Sequence, residues 1–549
     1  MPGNGIGFFL WAGGVPTYEA EQESNSLGGL AEKMNNGIAD LLPVTCSHLP
    51  EGFFWPGQAD SIDSMLKVME AVDSPPYIYD LARVEWATRR VAGEESPAPL
   101  DFDCSEVNPT LELLAVGWRG LPALLAGEKT VVEPDELHVA VFNGYDGPRL
   151  RVLELSGYDL LAIKIIAEEL KLRRVAETGG VSVGTVQGML ADAGRKGLIY
   201  RPPSRLQREL LTPGADEGTA QFGTRVEVFT LQWHLTQKCD LRCRHCYDRS
   251  GREEMSIQET ESVLDQLYEF CEQHRVAGQV SFSGGNPLLY PHFDHVYRET
   301  VERGLKTAIL GNPTPREQLE KLLAVRRPEF FQVSLEGLEE HNDYIRGRGH
   351  FKKSIAFLEL LRELGIYSMV MLTLTRNNIE EVLPLAEFLR DKTDQFNFNR
   401  LSPVGEGAAL ASVPVKNYRE FLEKYWQSAA SNPVMRLKDN LFNIIYDEEN
   451  LALFGGCTGF GCGAAFNFLS LLPDGEVHAC RKFPSLIGNI HTSNLGELYH
   501  SPKAQQYRVG ASGCSGCRIR RFCGGCLAVV QGSGRDPFTD VDPYCFIQP

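Results

Sequence analysis

From residue 225 onward, short apolar runs alternate with stretches whose apolar residues recur every three or four positions. The runs Val226–Leu235, Gln279–Ser283, Lys306–Leu310, Phe330–Leu335, Tyr367–Thr375 and Phe396–Leu401 predict six strands with helices between them. The first of these helices opens at Ser256-Ile-Gln-Glu259, a capping box. Strictly alternating strand and helix is the pattern of parallel βα units, and six of them predict an open partial barrel over residues 225–415. Ahead of it, Leu137–Phe142 and Leu150–Leu155 predict strands on either side of the turn residues 143–148. Helices are then expected at Asp159–Leu170, Leu172–Thr178 and Ser182–Lys196, with Gly179-Gly180 between the last two and Ser182 as N-cap. Gly197–Tyr200 closes as a strand, and this order predicts a winged-helix domain over 137–210. Residues 1–136 are read as a helical domain, from periodic stretches at Ser61–Val72 and Ile78–Val91. A breaker-rich stretch gives a linker at 211–224.

Length and composition narrow the class. The 549 residues exceed one ordinary domain, and 43% hydrophobic with 23% charged residues is a globular balance. No apolar run reaches the length of a membrane helix, so no membrane partner is expected. The N-terminal residues lack a basic region before their apolar patch and are not read as a signal peptide, which gives a cytoplasmic expectation. A formal charge of −18 disfavours nucleic acid as a partner of the whole chain. Residues 151–210 run against that trend, with ten Lys plus Arg and seven Asp plus Glu.

The chemistry is carried by cysteine. Fourteen are present, and without an export signal they read as metal ligands rather than disulfides. Cys239, Cys243 and Cys246 are separated by three and then two residues, with Tyr247 following. One loop with this spacing can wrap three thiolates around a four-iron cluster and leave one iron open. A zinc knuckle would need four ligands at paired spacings. Eight more cysteines crowd the tail, at Cys457, Cys462, Cys480, Cys514, Cys517, Cys523, Cys526 and Cys545, the number that closes two further four-iron clusters. A zinc ribbon would use only the foursome 514–526. Cys46, Cys104 and Cys271 are left over and are expected to be structural thiols.

The Cys239–Tyr247 motif resembles the signature of the radical S-adenosylmethionine (SAM) superfamily, in which the open iron chelates the methionine end of SAM. The resemblance implies SAM contacts at the mouth of the barrel. Gly284, Gly285, Asn286 and Pro287 stand where the family places backbone contacts to the methionine amino group, although the family usually has Glu at the position of Asn286. Val333-Ser-Leu-Glu-Gly337 with Ile345-Arg-Gly-Arg-Gly349 resembles the fourth-strand motif of the SPASM branch. That implies Ser334 and Arg346 at the SAM carboxylate, with Glu336 beside them, and Leu401 and the backbone of Tyr247 near the adenine. The spacings Cys462-x12-Gly475-x4-Cys480 and Cys514-x2-Cys517-x5-Cys523 resemble the SPASM pattern, whose next cysteine normally follows three residues later; here Gly524-Gly525 supply two. Carried over, Cys457, Cys462, Cys480 and Cys526 hold a nearer auxiliary cluster, and Cys514, Cys517, Cys523 and Cys545 a farther one. A helical bridge at 416–453 and a SPASM domain at 454–549 complete the chain.

The resemblance thus implies an enzyme, a radical SAM peptide maturase of oxygen-poor cytoplasm, with SAM and three [4Fe–4S] clusters as cofactors. Its partners would be a precursor peptide and an electron donor such as flavodoxin or ferredoxin. The peptide would dock on the winged helix as an added strand. The layout is most similar to the selenobiotic (thio(seleno)oxazole) modification maturases, on segments such as Leu161–Glu168 and Pro202–Arg205. Sulfatase-maturating relatives carry an Asp base just after the cysteine matched by Cys480; this chain has Arg481, which cannot take up a proton. An iron–sulfur winged-helix transcription regulator would account for residues 137–210 but not for Gly284, Gly285, Ser334 or Arg346.

Overall fold

A computed structural model describes residues 42–49, 74–94, 105–144, 149–181, 183–200, 204–208 and 225–547. The expected helix Ser61–Val72, the N-cap Ser182, Cys104 and the linker 211–224 lie outside the described residues. The chain divides into two compact units, residues 1–203 and 204–549.

In the first unit, helix α1 (Pro43–Ser47) is followed by α2 (Ile78–Ala92), the amphipathic helix expected from its periodicity. Glu85 of α2 is buried and accepts from the backbone N–H of Val44 (2.8 Å) and Thr45 (2.7 Å), satisfying the free end of α1. Then come β1 (Glu106–Val107), β2 (Glu112–Arg119), α3 (Leu121–Leu125), β3 (Glu133–Asn143) and β4 (Leu150–Leu155). Helices α4 (Gly157–Ala167), α5 (Leu172–Gly179) and α6 (Val183–Lys196) lead to β5 (Ile199–Tyr200). Leu81, Val84 and Val91 of α2 pack with Val116 of β2 and with Val139 and Val141 of β3.

The boundary expected at 136/137 is not respected. Strand β3 runs through it, β2–β3–β4 form one antiparallel sheet, and the expected helical front supplies two strands of its own. The closing strand β5 pairs with β1, and Asn108 ties the two ends together by donating to the carbonyls of Asn143 (3.0 Å) and Gly197 (2.8 Å). Asn143 in turn donates to the Val91 carbonyl (2.6 Å). With so many buried polar groups satisfied across the boundary, front and helices form a single body.

The second unit carries the barrel. Its strands are β6 (Val228–Thr236), β7 (Ala277–Gly284), β8 (Lys306–Leu310), β9 (Phe331–Ser334), β10 (Ser368–Leu374) and β11 (Gln395–Arg400). They pair in parallel and in sequence order, as expected, within a residue or two of the expected limits. Between them run α7 (Ile257–His274), α8 (Phe293–Glu302), α9 (Arg316–Val325), α10 (Glu339–Arg346), α11 (His350–Glu363) and α12 (Val382–Phe388). The capping box at Ser256 is made in both directions: its hydroxyl accepts from Glu259 N–H, and Glu259 accepts from Ser256 N–H (2.7 Å).

After β11 come α13 (Val415–Ala429) and α14 (Phe442–Glu448), the expected bridge. The tail then contributes β12 (Phe468–Leu471), β13 (Glu476–His478), β14 (Leu486–Asn489), α15 (Leu495–His500), α16 (Pro502–Val509) and α17 (Leu527–Gly532). Strand β12 adds in parallel to β6, in register from Phe468 with Thr230 to Leu471 with Trp233. The barrel sheet therefore continues into β12, β13 and β14, nine strands among the described residues, and the tail is not a separate body.

Candidate active site

The loop after β6 carries Cys239, Cys243 and Cys246 at the C-terminal end of the parallel strands. Donors already point at its sulfurs. Leu241 N–H lies 3.4 Å and Asn312 Nδ2 3.6 Å from Cys239 Sγ, and Arg346 NH1 lies 3.7 Å from Cys243 Sγ. Burial pushes the thiols of Cys239 and Cys243 up, so loading a metal must displace protons there. The loop is anchored from both sides: Arg244 N–H donates to Ile345 (2.9 Å) and its guanidinium stacks on Tyr344, 4.3 Å from the ring centre.

The Gly284-Gly285 pair is required by a close approach of two chain segments. Gly285 N–H donates to the Thr236 carbonyl and Asn286 N–H to that of Lys238, both at 2.8 Å. A Cβ on Gly284 or Gly285 would run into those same carbonyls, and Gly284 has a φ of +133°. The glycines thus hold the cluster loop against β7, a role the sequence reading did not give them. Asn286 is buried, and its Nδ2 donates to Asp240 Oδ1 (3.1 Å), which also accepts from Asn312 Nδ2 (2.6 Å). A Glu at 286 would set one carboxylate against another, which accounts for the departure at this position.

Below Cys243 lies a buried charge cluster. Glu336 is 1% exposed and accepts from Arg346 Nε (2.9 Å), Arg346 NH2 (2.6 Å) and Thr373 N–H (2.8 Å), with His245 Nε2 at 3.2 Å. Burial alone would raise its carboxyl; His245 and Arg346 outweigh that and hold it well below the usual carboxylate range. Two of the three Arg346 nitrogens are committed to Glu336, so the guanidinium is not the free fork expected for a SAM carboxylate. A carboxylate buried this deeply needs a cation, and Arg346 is the one supplied. Ser334 closes β9 opposite Met371 and is half-buried.

The remaining expected contacts gather on the other side of the loop. Glu406 N–H donates to the Cys246 carbonyl (2.8 Å), and a Cβ on Gly405 would strike the Tyr247 carbonyl. A Cβ on Gly407 would meet Leu401 at 3.4 Å and the His245 carbonyl at 3.5 Å, so Leu401 lies beside the cluster loop. The Tyr247 hydroxyl bonds the buried His234 ring (2.9 Å), and burial pushes it up to about 12. Arg481 lies over the Tyr247 ring, 5.0 Å from its centre, and donates to Ser283 at the end of β7. His234, His245, Asp240 and Asn312 were not singled out from sequence. His234 carried a readable signal, an ionisable residue inside an otherwise apolar strand.

In the tail, Cys457, Cys462, Cys480 and Cys526 line one cavity. Burial pushes the thiol of Cys462 up to about 11 and that of Cys480 up to about 12. Cys514, Cys517 and Cys545 are electrostatic neighbours of one another, and Cys545 of Cys523. Asp542 stands between the two sets: its Oδ2 accepts from Cys526 N–H (2.9 Å), and its carbonyl accepts from Cys545 N–H (2.9 Å). Gly524 and Gly525 both take left-handed backbone, φ +64° and +63°, so two residues make the turn the family makes with three. Among the described residues, only Glu261, His295 and Glu299 form a His/Cys/Asp/Glu trio with ligand atoms within 4.8 Å of one another. Of the leftover cysteines, Cys271 is buried in the core, and burial pushes its thiol up.

Comparison with known proteins agrees with this geometry. Residues 233–389 match the radical SAM superfamily, and residues 462–526 match SPASM, an iron–sulfur cluster-binding domain. The chain is 26% identical to an AdoMet-dependent heme synthase of Methanosarcina barkeri, over 58% of this chain and 96% of that protein. It is 27% identical to the antilisterial bacteriocin subtilosin biosynthesis protein AlbA of Bacillus subtilis, over 54% of this chain and 66% of that protein. To the mycofactocin maturase MftC of Mycolicibacterium smegmatis it is 28% identical, over 57% of this chain and 82% of that protein. No described helix is long and apolar enough to cross a membrane. The chain is therefore an enzyme carrying a radical SAM domain and a SPASM domain, whose cofactors are S-adenosylmethionine and [4Fe–4S] clusters.

Proposed function

We propose that the chain oxidatively modifies a ribosomally made precursor peptide, in a maturation of the thio(seleno)oxazole type. Cys239, Cys243 and Cys246 would hold the cluster that binds SAM, the cavity foursome a nearer auxiliary cluster, and Cys514, Cys517, Cys523 and Cys545 a farther one. Once loaded, these cofactors supply a 5′-deoxyadenosyl radical able to take a hydrogen atom from an unactivated carbon.

The protein's own work is positioning. Glu336 locks Arg346 beside Cys243, the Gly284-Gly285 contact fixes the loop, and Tyr247 with Leu401 walls the adenine side. Arg481 stays a cation at the mouth and cannot act as a base, which weighs against sulfatase maturation. A bare regulator would have no use for this assembly.

The observation that carries the peptide reading is the first unit. The heme synthase is matched almost end to end by 58% of this chain, so the remainder serves something that enzyme lacks. A three-stranded antiparallel sheet whose outer strands β2 and β4 each pair on one side among the described residues can accept an extended peptide as a further strand. AlbA and MftC, by their names, serve in bacteriocin biosynthesis and mycofactocin maturation. A flavodoxin or ferredoxin in the cytoplasm would supply the electron.

The test is anaerobic incubation of reconstituted enzyme with SAM, reductant and each short peptide encoded beside it in the genome. The reading expects 5′-deoxyadenosine together with a peptide product that has lost hydrogen. SAM cleavage with every peptide unchanged, and turnover of a tetrapyrrole instead, would overturn it.

A further inference from the structure

The cavity lined by Cys457, Cys462, Cys480 and Cys526 also presents three cations, Arg400, Lys438 and Lys482. Arg400 is 4% exposed. Its Nε donates to Asp439 and its NH1 to Asp542, both at 2.7 Å, while the third nitrogen, NH2, is buried with no hydrogen-bond partner. Lys438 makes no ion pair with a carboxylate among the described residues, and its charged neighbours are Cys457, Cys480, Cys526 and Lys482. A buried N–H left unpaired costs about 1–3 kcal/mol, and the half-buried ammonium of Lys438 has no carboxylate partner among the described residues. The fold tolerates both at the same cavity.

An occupant that satisfies both must be negative and must accept hydrogen bonds. A cube held by four thiolates is such an object, because the thiolates outweigh the charge of the iron–sulfur core and reduction adds one more electron. The other foursome differs. There Asp542 lies beside the cysteines as well as Arg400 and Arg520, so part of the cationic charge is offset.

We propose that Lys438 and Arg400 are positioning residues of the nearer auxiliary cluster, donating to its sulfur atoms and stabilising its reduced form, so that it reduces more easily than the farther one. Hydrogen bonds to sulfur and local net charge are the protein's levers on cluster potential. The inference rests on the ligand assignment proposed above, and the closing experiment separates the two.

The experiment uses full-length protein carrying Cys239→Ala, Cys243→Ala and Cys246→Ala, so that only auxiliary clusters remain, titrated with dithionite and followed by electron paramagnetic resonance. Iron content is read first. About eight irons per chain support the ligand assignment, and about four or fewer overturn that assignment together with the inference. With both clusters present, Lys438→Met is expected to make one centre tenfold harder to reduce, a shift of about 59 mV for one electron, and to leave the other in place. Lys438→Arg should restore the original value, and Arg400→Lys should lower the same centre as Lys438→Met does. Unmoved potentials in both Lys438→Met and Arg400→Lys, at undiminished iron, would overturn the inference alone.

Discussion

Exchanging one atom at position 286 tests why the cluster loop adopts its shape. Asn286→Asp keeps the side-chain outline but replaces the amide that donates to Asp240 at 3.1 Å with a carboxylate oxygen. Two unit charges at that distance repel by about 1.3 kcal/mol in bulk water and by about 5 kcal/mol at an effective dielectric of 20. Asp240 is exposed, so screening keeps the repulsion near the lower figure. The lost hydrogen bond to a charged group adds about 1.5–3 kcal/mol, for a total near 3 kcal/mol. If that energy falls on the loop's working geometry, the rate of reductive SAM cleavage drops by about two orders of magnitude. Asn286→Ala removes the bond without adding charge and should cost about tenfold. The decisive variant is Asn286→Asp with Asp240→Asn, which restores an amide facing a carboxylate in the reverse sense. It should regain most of the loss caused by Asn286→Asp, short of the bond that Asn312 makes to the same Asp240 oxygen, a strongly non-additive cycle. The assay is 5′-deoxyadenosine formation by liquid chromatography under reductant, normalised to iron. Simple additivity, or equal losses for Asn286→Asp and Asn286→Ala, would refute the electrostatic account of this position.

Other outcomes follow from the same geometry. Glu336→Gln leaves Arg346 buried without its anion and should destabilise the second unit by about 3–5 kcal/mol, read from urea midpoints. The folded Glu336 carboxyl titrates below its unfolded value. Its stabilisation is therefore complete above the unfolded pKa of about 4.3 and is lost as pH falls from there toward the depressed pKa of the folded carboxyl, so wild-type and Glu336→Gln midpoints should run parallel from pH 7 to about 5 and begin to approach each other only below about pH 4. Gly285→Ala should drive its methyl into the Lys238 carbonyl, displace the cluster loop and cut iron by about four atoms per chain; a normal iron count would show the approach to be slack. Tyr247→Phe strips the hydroxyl from the buried His234 ring and should lower stability by about 1–3 kcal/mol in a thermal melt, with iron content retained.

The barrel was legible because its strands are buried on both faces and read as continuous apolar runs bounded by helix caps. The first unit was less so. Glu112–Arg119, Glu-Leu-Leu-Ala-Val-Gly-Trp-Arg, has mixed polarity and an internal register shift, so it carries no clean alternation, and β2 was missed. Strand β5 was expected within Gly197–Tyr200, but its partner β1 is set by a pairing across 92 and 94 positions that local pattern cannot report. The cysteine sets could be read because ligation constrains spacing. The residues that hold those loops in place, Asp240, Asn312 and Asp542, act through contacts distant in sequence and left no periodic trace. Asn286 looked like a tolerated exception in the motif, and only its contact with Asp240 gives it a reason.

Strand β12 belongs to the tail but hydrogen-bonds along β6, the strand that delivers Cys239. Cysteine loops mounted on one rigid beam keep a fixed separation. Here the beam is a shared ladder of peptide bonds, and thermal hinge motion between barrel and tail is suppressed at its origin. Truncating the chain before β12 would therefore strip the barrel of a neighbour strand and leave a raw, adhesive margin where the iron-binding loop begins.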